Sequence, residues 1–121
     1  MKTISTLLAV LLLSAVAAAA CGGGQAQPAG STKVTLADFS FTPTAIPGKV
    51  GDNTFFLVNE GKSSHDMTIK DATGKQLARS ELVQPGNTAI LTVKLDAGAY
   101  DVICSQAGHA DAGMKATLTV S

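Results

Sequence analysis

Cys104, His109 and Met114 follow one another with four residues between successive members, so a single short loop can fold a thiol, an imidazole and a thioether onto one centre. That donor set suits a soft metal ion. Gly108 and Gly113 directly precede His109 and Met114, where positive φ or close backbone approach lets a tight loop aim the side chain that follows.

The flanking residues read as the strands that carry this loop. Tyr100, Val102 and Cys104 share one face of a period-two pattern, as do Met114, Ala116, Leu118 and Val120, with Lys115, Thr117 and Thr119 opposite. Cys104 thus closes one inward row and Met114 opens the next. From Lys33 onward the chain consists of short alternating runs between turn residues, with no convincing helix-period segment. Val34 and Leu36 alternate until a register shift aligns Phe39 with Phe41, which predicts a bulge near Ala37-Asp38. Residues 53–59 are apolar on both faces and read as a central strand. His65, Met67 and Ile69 form another inward row, and Ala89, Leu91, Val93 and Leu95 a further one. Residues 76–83 are ambiguous. The pattern predicts an all-β, Greek-key sandwich of seven or eight strands in residues 33–121.

In such a sandwich the turn before His65 and the loop after Cys104 can share one end. His65, Cys104 and His109 then supply two nitrogens and a thiolate, with Met114 as a weak axial ligand, the set of a blue-copper site. Met67 is the alternative axial sulfur, although its place in an inward row reads as core. Cys104 alone reads as a buried thiol or as half of a Cys21–Cys104 disulfide; the spacing of His109 and Met114 favours the metal. Zinc could occupy the same ligands without redox chemistry.

The leader and its junction frame the domain. Lys2 is the sole charge among the first 32 residues, and residues 7–20 are apolar or small apart from Ser14. Residues 1–20 therefore read as a secretory signal, short for a membrane span. Ala18-Ala19-Ala20-Cys21 resembles a lipoprotein junction with Cys21 as the acylated residue, or an ordinary Ala-x-Ala cleavage site. Residues 21–32 form a Gly/Gln/Pro/Ala tether with a reach of roughly 18 Å. Export to the periplasm, or to the outer face of a bacterial membrane with a lipid anchor at Cys21, is the expectation. Residues 21–121 hold eight basic and nine acidic side chains, and no basic stripe suggests nucleic acid.

The run Gly-x-Tyr-x-Val-x-Cys…Gly-His…Gly-Met-Lys-Ala-Thr-Leu-Thr-Val resembles the C-terminal loop of cupredoxins, with a Cys-x4-His-x4-Met spacing most similar to auracyanin and rusticyanin. Asp38-Phe39-Ser40-Phe41-Thr42-Pro43 and Val58-Asn59…His65-Asp66 resemble the family's first strand and upstream histidine. The resemblance implies one type 1 copper ion bound through Nδ1 of His65 and His109, Sγ of Cys104 and Sδ of Met114, with the Ser64 carbonyl on the far side. Many members carry Asn or Ser where this chain has Asp66; a carboxylate there could accept from loop N–H groups such as that of Ser105 and lower the potential.

A four-ligand copper without an open position implies an electron carrier rather than an enzyme. Expected partners are redox proteins, namely cytochromes or respiratory or photosynthetic complexes, met by a monomer. The alternative is a copper carrier delivering metal to another protein. An oxidase or nitrite reductase would need further histidines, a two-copper centre a second cysteine, and an immunoglobulin-like binding module leaves the ligand coincidence unexplained.

Overall fold

The computed structural model describes residues 25–121, which form nine strands and, among those residues, no helix. They are β1 (Thr32–Ala37), β2 (Ser40–Thr42), β3 (Ala45–Gly48), β4 (Gly51–Asn59), β5 (Thr68–Lys70), β6 (Gln76–Arg79), β7 (Thr88–Leu95), β8 (Gly98–Ile103) and β9 (Lys115–Val120). One sheet has the order β2-β1-β4-β7 and the other β3-β9-β8-β5-β6. All pairs are antiparallel except β1 with β4 and β3 with β9. The chain changes sheet between β2 and β3. This is the expected all-β sandwich; nine strands arise because residues 32–48 are cut into three short pieces.

Alternation makes the core. Val34 and Leu36 on β1, Phe55 and Leu57 on β4, and Ala89 and Leu91 on β7 meet Ile69, Val102 and Leu118 of the facing sheet, all buried. Phe56, on the opposite row of β4, is also 6 % exposed, in keeping with a central strand flanked on both sides. β6 has no fully buried residue, which is why its sequence carries no periodic signal. Tyr100 closes a corner by donating its hydroxyl to the Asp96 carbonyl at 2.8 Å.

The register shift near Ala37-Asp38 is a turn and not a bulge. Ala37 pairs with Ser40, so β1 folds straight back into β2 and the two residues between them form the connection. Phe41 is consequently buried, while Phe39 is 40 % exposed at the turn. Both ends of the sequence-derived alternation were apolar, and periodicity cannot tell one inserted residue from a reversal of direction.

The parallel register of β1 on β4 sets Leu36 opposite Asn59, so the β1–β2 turn and the exit from β4 lie at one end of the sandwich. β8 and β9 pair up to Ile103 and Lys115, and their connecting loop opens where β5 begins. Before β1, the Gln25 N–H donates to Thr88 Oγ1 at 3.0 Å, and Ser31 turns back on the Pro28 carbonyl.

Leu57 and Ile90 test the assignment of faces. Leu57→Ala, at a fully buried site, should cost about 2–5 kcal/mol; Ile90→Thr, 37 % exposed, should change stability by less than about 0.5 kcal/mol. Urea unfolding of the metal-free protein measures both, and similar losses would contradict the inward row of β4.

Candidate metal centre

The β8–β9 hairpin sets Cys104 and Met114 next to each other across its two strands. One step beyond the Ile103–Lys115 pair, the Cys104 N–H donates to the Met114 carbonyl at 3.3 Å. Between them the loop coils: His109 N–H to Gln106 O at 3.1 Å, Ala112 N–H to Gly108 O at 3.0 Å, and Met114 N–H to His109 O at 3.0 Å. Gly108 and Gly113 have φ of 80° and 104°, the left-handed conformations that turn the chain into each ligand. Cys104 and Met114 are buried; His109 is partly exposed.

His65 arrives from the β4 side. It forms an isolated bridge with Val83, His65 N–H to Val83 O at 3.1 Å and Val83 N–H to His65 O at 2.8 Å. The loop before it folds over one buried side chain. Asn59 donates from Nδ2 to the carbonyls of Ser63 and Val83 and accepts the Gly61 N–H at Oδ1. Ser64 donates its hydroxyl to Gln84 Oε1 at 2.7 Å, tying that loop to the turn before β7.

These segments bring three donor atoms together. His65 Nδ1 and His109 Nδ1 are 3.1 Å apart, and Cys104 Sγ lies 3.9 Å from the first and 3.5 Å from the second. A triangle of those sides has a circumscribed radius of about 2 Å, the length of a metal–imidazole bond. One ion therefore reaches all three donors from near their own plane. Two nitrogens and a sulfur in trigonal array, with buried Met114 next to Cys104 across the hairpin, fit a single type 1 copper ion.

The far side of each donor is also held. His65 Nε2 is 2.6 Å from Asp38 Oδ1, and Asp38 accepts the N–H groups of Lys62 and Ser63 as well. Those backbone donors, Lys62 first, outweigh desolvation and, with His65, hold the Asp38 carboxyl below the usual carboxylate range. Phe39, the next residue, sets its ring edge-on to His109 with centroids 4.8 Å apart.

Asp66 bridges to the cysteine loop. It accepts from Ser105 N–H at 3.0 Å, from the Ser105 hydroxyl, from Gln106 Nε2 at 3.0 Å and from the Thr68 hydroxyl at 2.9 Å. Burial penalises its charge, but these donors together outweigh that and keep it ionised below its ordinary range. Burial pushes the Cys104 thiol up, the backbone N–H groups of Asp66 and Gln106 oppose the rise, and the Asp66 charge adds to it.

The structure brings together His65, Cys104 and His109 with Met114 buried alongside, and joins Asp66 to Ser105 as the sequence suggested. Ser64 serves the loop through its hydroxyl. Met67 is buried in the core, and Cys104 is a free thiol. Cys21 and the leader lie outside the described residues. Sequence reasoning missed Asp38, Asn59, Gly61, Gln106 and the placement of Phe39. An acidic residue followed by an aromatic at a register break was the visible signal.

The Cupredoxin-like domain family matches residues 4–120, and the chain belongs to that family. It is 34% identical over 85 residues to the copper-resistant cuproprotein CopI of Pseudomonas aeruginosa, a match covering 69% of this chain and 45% of that protein. The chain thus spans about half the length of that curated relative. Among solved structures it is similar to auracyanin B, with a TM-score of 0.68 and 21% identity over 80% of this chain and 92% of that one. The reduced auracyanin of Roseiflexus castenholzii gives a TM-score of 0.64 and 17% identity over 74% and 94%. These structures share the fold.

Two substitutions probe the loop contacts without metal. Asp66→Ala strands the Ser105 N–H and the Thr68 and Gln106 donors and should cost about 1–3 kcal/mol in urea unfolding. Gly61→Ala puts a Cβ 2.5 Å from Asp38 Oδ1 and 2.9 Å from His65 Nε2. It should cost about 1–3 kcal/mol and displace the His65 ring resonances; a ring left undisturbed would show that the loop is free to yield.

Proposed function

We propose that this protein carries single electrons between redox partners, holding one copper ion through His65 Nδ1, His109 Nδ1, Cys104 Sγ and a weak axial Met114 Sδ. The observation that carries this reading is the donor triangle of about 2 Å radius with its sulfur buried. Bound copper supplies the Cu(II)/Cu(I) couple. The chain supplies position: the β8–β9 hairpin and the separate His65–Val83 bridge fix the donors from two segments of the chain, so both oxidation states meet the same ligand frame.

His109 is the exit for the electron, because it is the partly exposed member of the triangle. Around it, Ala107, Gly108 and Ala112 are exposed and small, and Phe39 is 40 % exposed. Such a mildly apolar surface suits the small, brief encounters of electron-transfer proteins. The partners we infer are a cytochrome or a respiratory or photosynthetic complex, met by a monomer on the outer side of a bacterial membrane, with residues 1–20 as export signal and Cys21 as lipid anchor. Both histidines of the chain are used as ligands, which leaves no further set for a catalytic copper.

The name of the Pseudomonas relative supports a second reading, in which the site holds or hands over copper under copper stress. Off-rate separates the two. A carrier of electrons should retain Cu(I) through many redox cycles, whereas a delivery protein should release it to a competing chelator.

Titration with Cu(II), followed by optical and EPR spectra in wild type and Cys104→Ser, tests the leading reading. An intense thiolate-to-copper band with narrow hyperfine splitting, lost in the variant, is expected. A pale spectrum indifferent to Cys104 would reject it. The ionised Asp66 next to the Cys104 loop should favour Cu(II), so Asp66→Asn should raise the reduction potential, and an unchanged value would refute that role.

A further inference from the structure

The nitrogen of His65 that faces away from the donor triangle has a built partner. Asp38 Oδ1 stands 2.6 Å from Nε2, and the same carboxylate is clamped by the N–H groups of Lys62 at 2.9 Å and Ser63 at 3.2 Å. Asp38 comes from the β1–β2 turn and belongs to neither segment that carries the donors. Gly61 makes the approach feasible, since any side chain there would meet both Asp38 and His65.

An acceptor with no proton of its own fixes the direction of this contact. Asp38 receives two backbone N–H groups, so it is acceptor-only toward His65 and the ring proton lies on Nε2. In the neutral ring Nδ1 is then the bare nitrogen, and Nδ1 is the atom at the triangle, 3.1 Å from His109 Nδ1. His65 is fully buried, so no solvent contact competes to set its tautomer. The next residue, Phe39, backs the other imidazole, which makes one two-residue turn the rear wall of both rings.

We infer that Asp38 is a positioning residue of the metal centre: it presets the metal-binding tautomer of His65 before any ion arrives, and its charge, relayed through the imidazole, favours the more oxidised ion. A carboxylate behind a ligating imidazole both orients the ring and raises its basicity. The first half of the inference concerns the chain alone; the second rests on the copper reading given above.

Nitrogen-15 NMR of the metal-free full chain tests the first half. The expected wild-type result is a neutral His65 with a protected Nε2–H and an unprotonated Nδ1. Asp38→Ala should remove that protected proton and weaken copper affinity about ten- to hundred-fold. Asp38→Asn keeps an oxygen for Nε2 but loses the charge; it should keep the neutral Nε2–H form, retain the blue band and raise the reduction potential.

A doubly protonated His65 in wild type at neutral pH would overturn the inference, because the contact would then be an ion pair that closes the site. So would an Asp38→Ala protein with the same protected proton, or an Asp38→Asn protein with an unchanged potential. Should Asp38→Ala fail to fold, the Asp38→Asn potential and ring proton decide. A wild type without a blue band would reject the copper reading while leaving the tautomer result standing.

Discussion

Two imidazole nitrogens 3.1 Å apart, with a sulfur 3.5 and 3.9 Å away, are three electron-rich atoms turned toward one another. Nothing in their own chemistry favours that arrangement without a cation. Metal-free, the two rings satisfy one another only by sharing a proton across their 3.1 Å contact. The scaffold therefore holds together three donors that only a cation engages all at once. The rest of the molecule can be understood as the means of doing so.

Three anchors carry that task, each a polar side chain hydrogen-bonded to the backbone of a loop that carries a donor. Asn59 gathers the loop ahead of His65, Asp38 gathers the same loop from the β1–β2 turn, and Asp66 gathers the loop behind Cys104. All three side chains bond segments distant in sequence or cross a loop, so movement of any donor breaks several bonds at once. The two aspartates add charge to this geometry. Carboxylates behind His65 and beside the Cys104 loop gather negative charge around the donors, which suits a cation there.

The donor cluster was legible because three of the four residues read for it lie within one hairpin, where spacing and alternation constrain each other. Cys104 and Met114 end inward rows, and Gly108 and Gly113 announce the turns. His65 was legible as the opening of a third inward row, supported by the resemblance to cupredoxins. Asp38 was not, because its bond to His65 spans 27 residues and an acidic residue in a turn looks like ordinary solvated loop. Phe39 was misplaced for a related reason: an apolar residue at a register break continues a strand on paper, whereas the reversal exposes it and sets it against His109. Gly61 offered no signal at all, since its role is the absence of a Cβ that only the packed structure reveals.

The position of Cys104 shows why a metal completes the structure and does not merely visit it. Burial raises the thiol's pKa and the charge on Asp66 raises it further, against two backbone N–H groups that favour the thiolate. In the metal-free protein the sulfur therefore keeps its proton at neutral pH, and metal binding must displace it. Affinity should accordingly rise with pH until the metal-free thiol itself ionises, because each binding event releases a proton. A site with the opposite balance, a free thiolate stabilised by nearby cations, would be a nucleophile or a redox-sensitive cysteine. Here the surrounding charges are negative, the sulfur is buried and the nearest donors are imidazoles, so the thiolate form depends on a cation sharing its site.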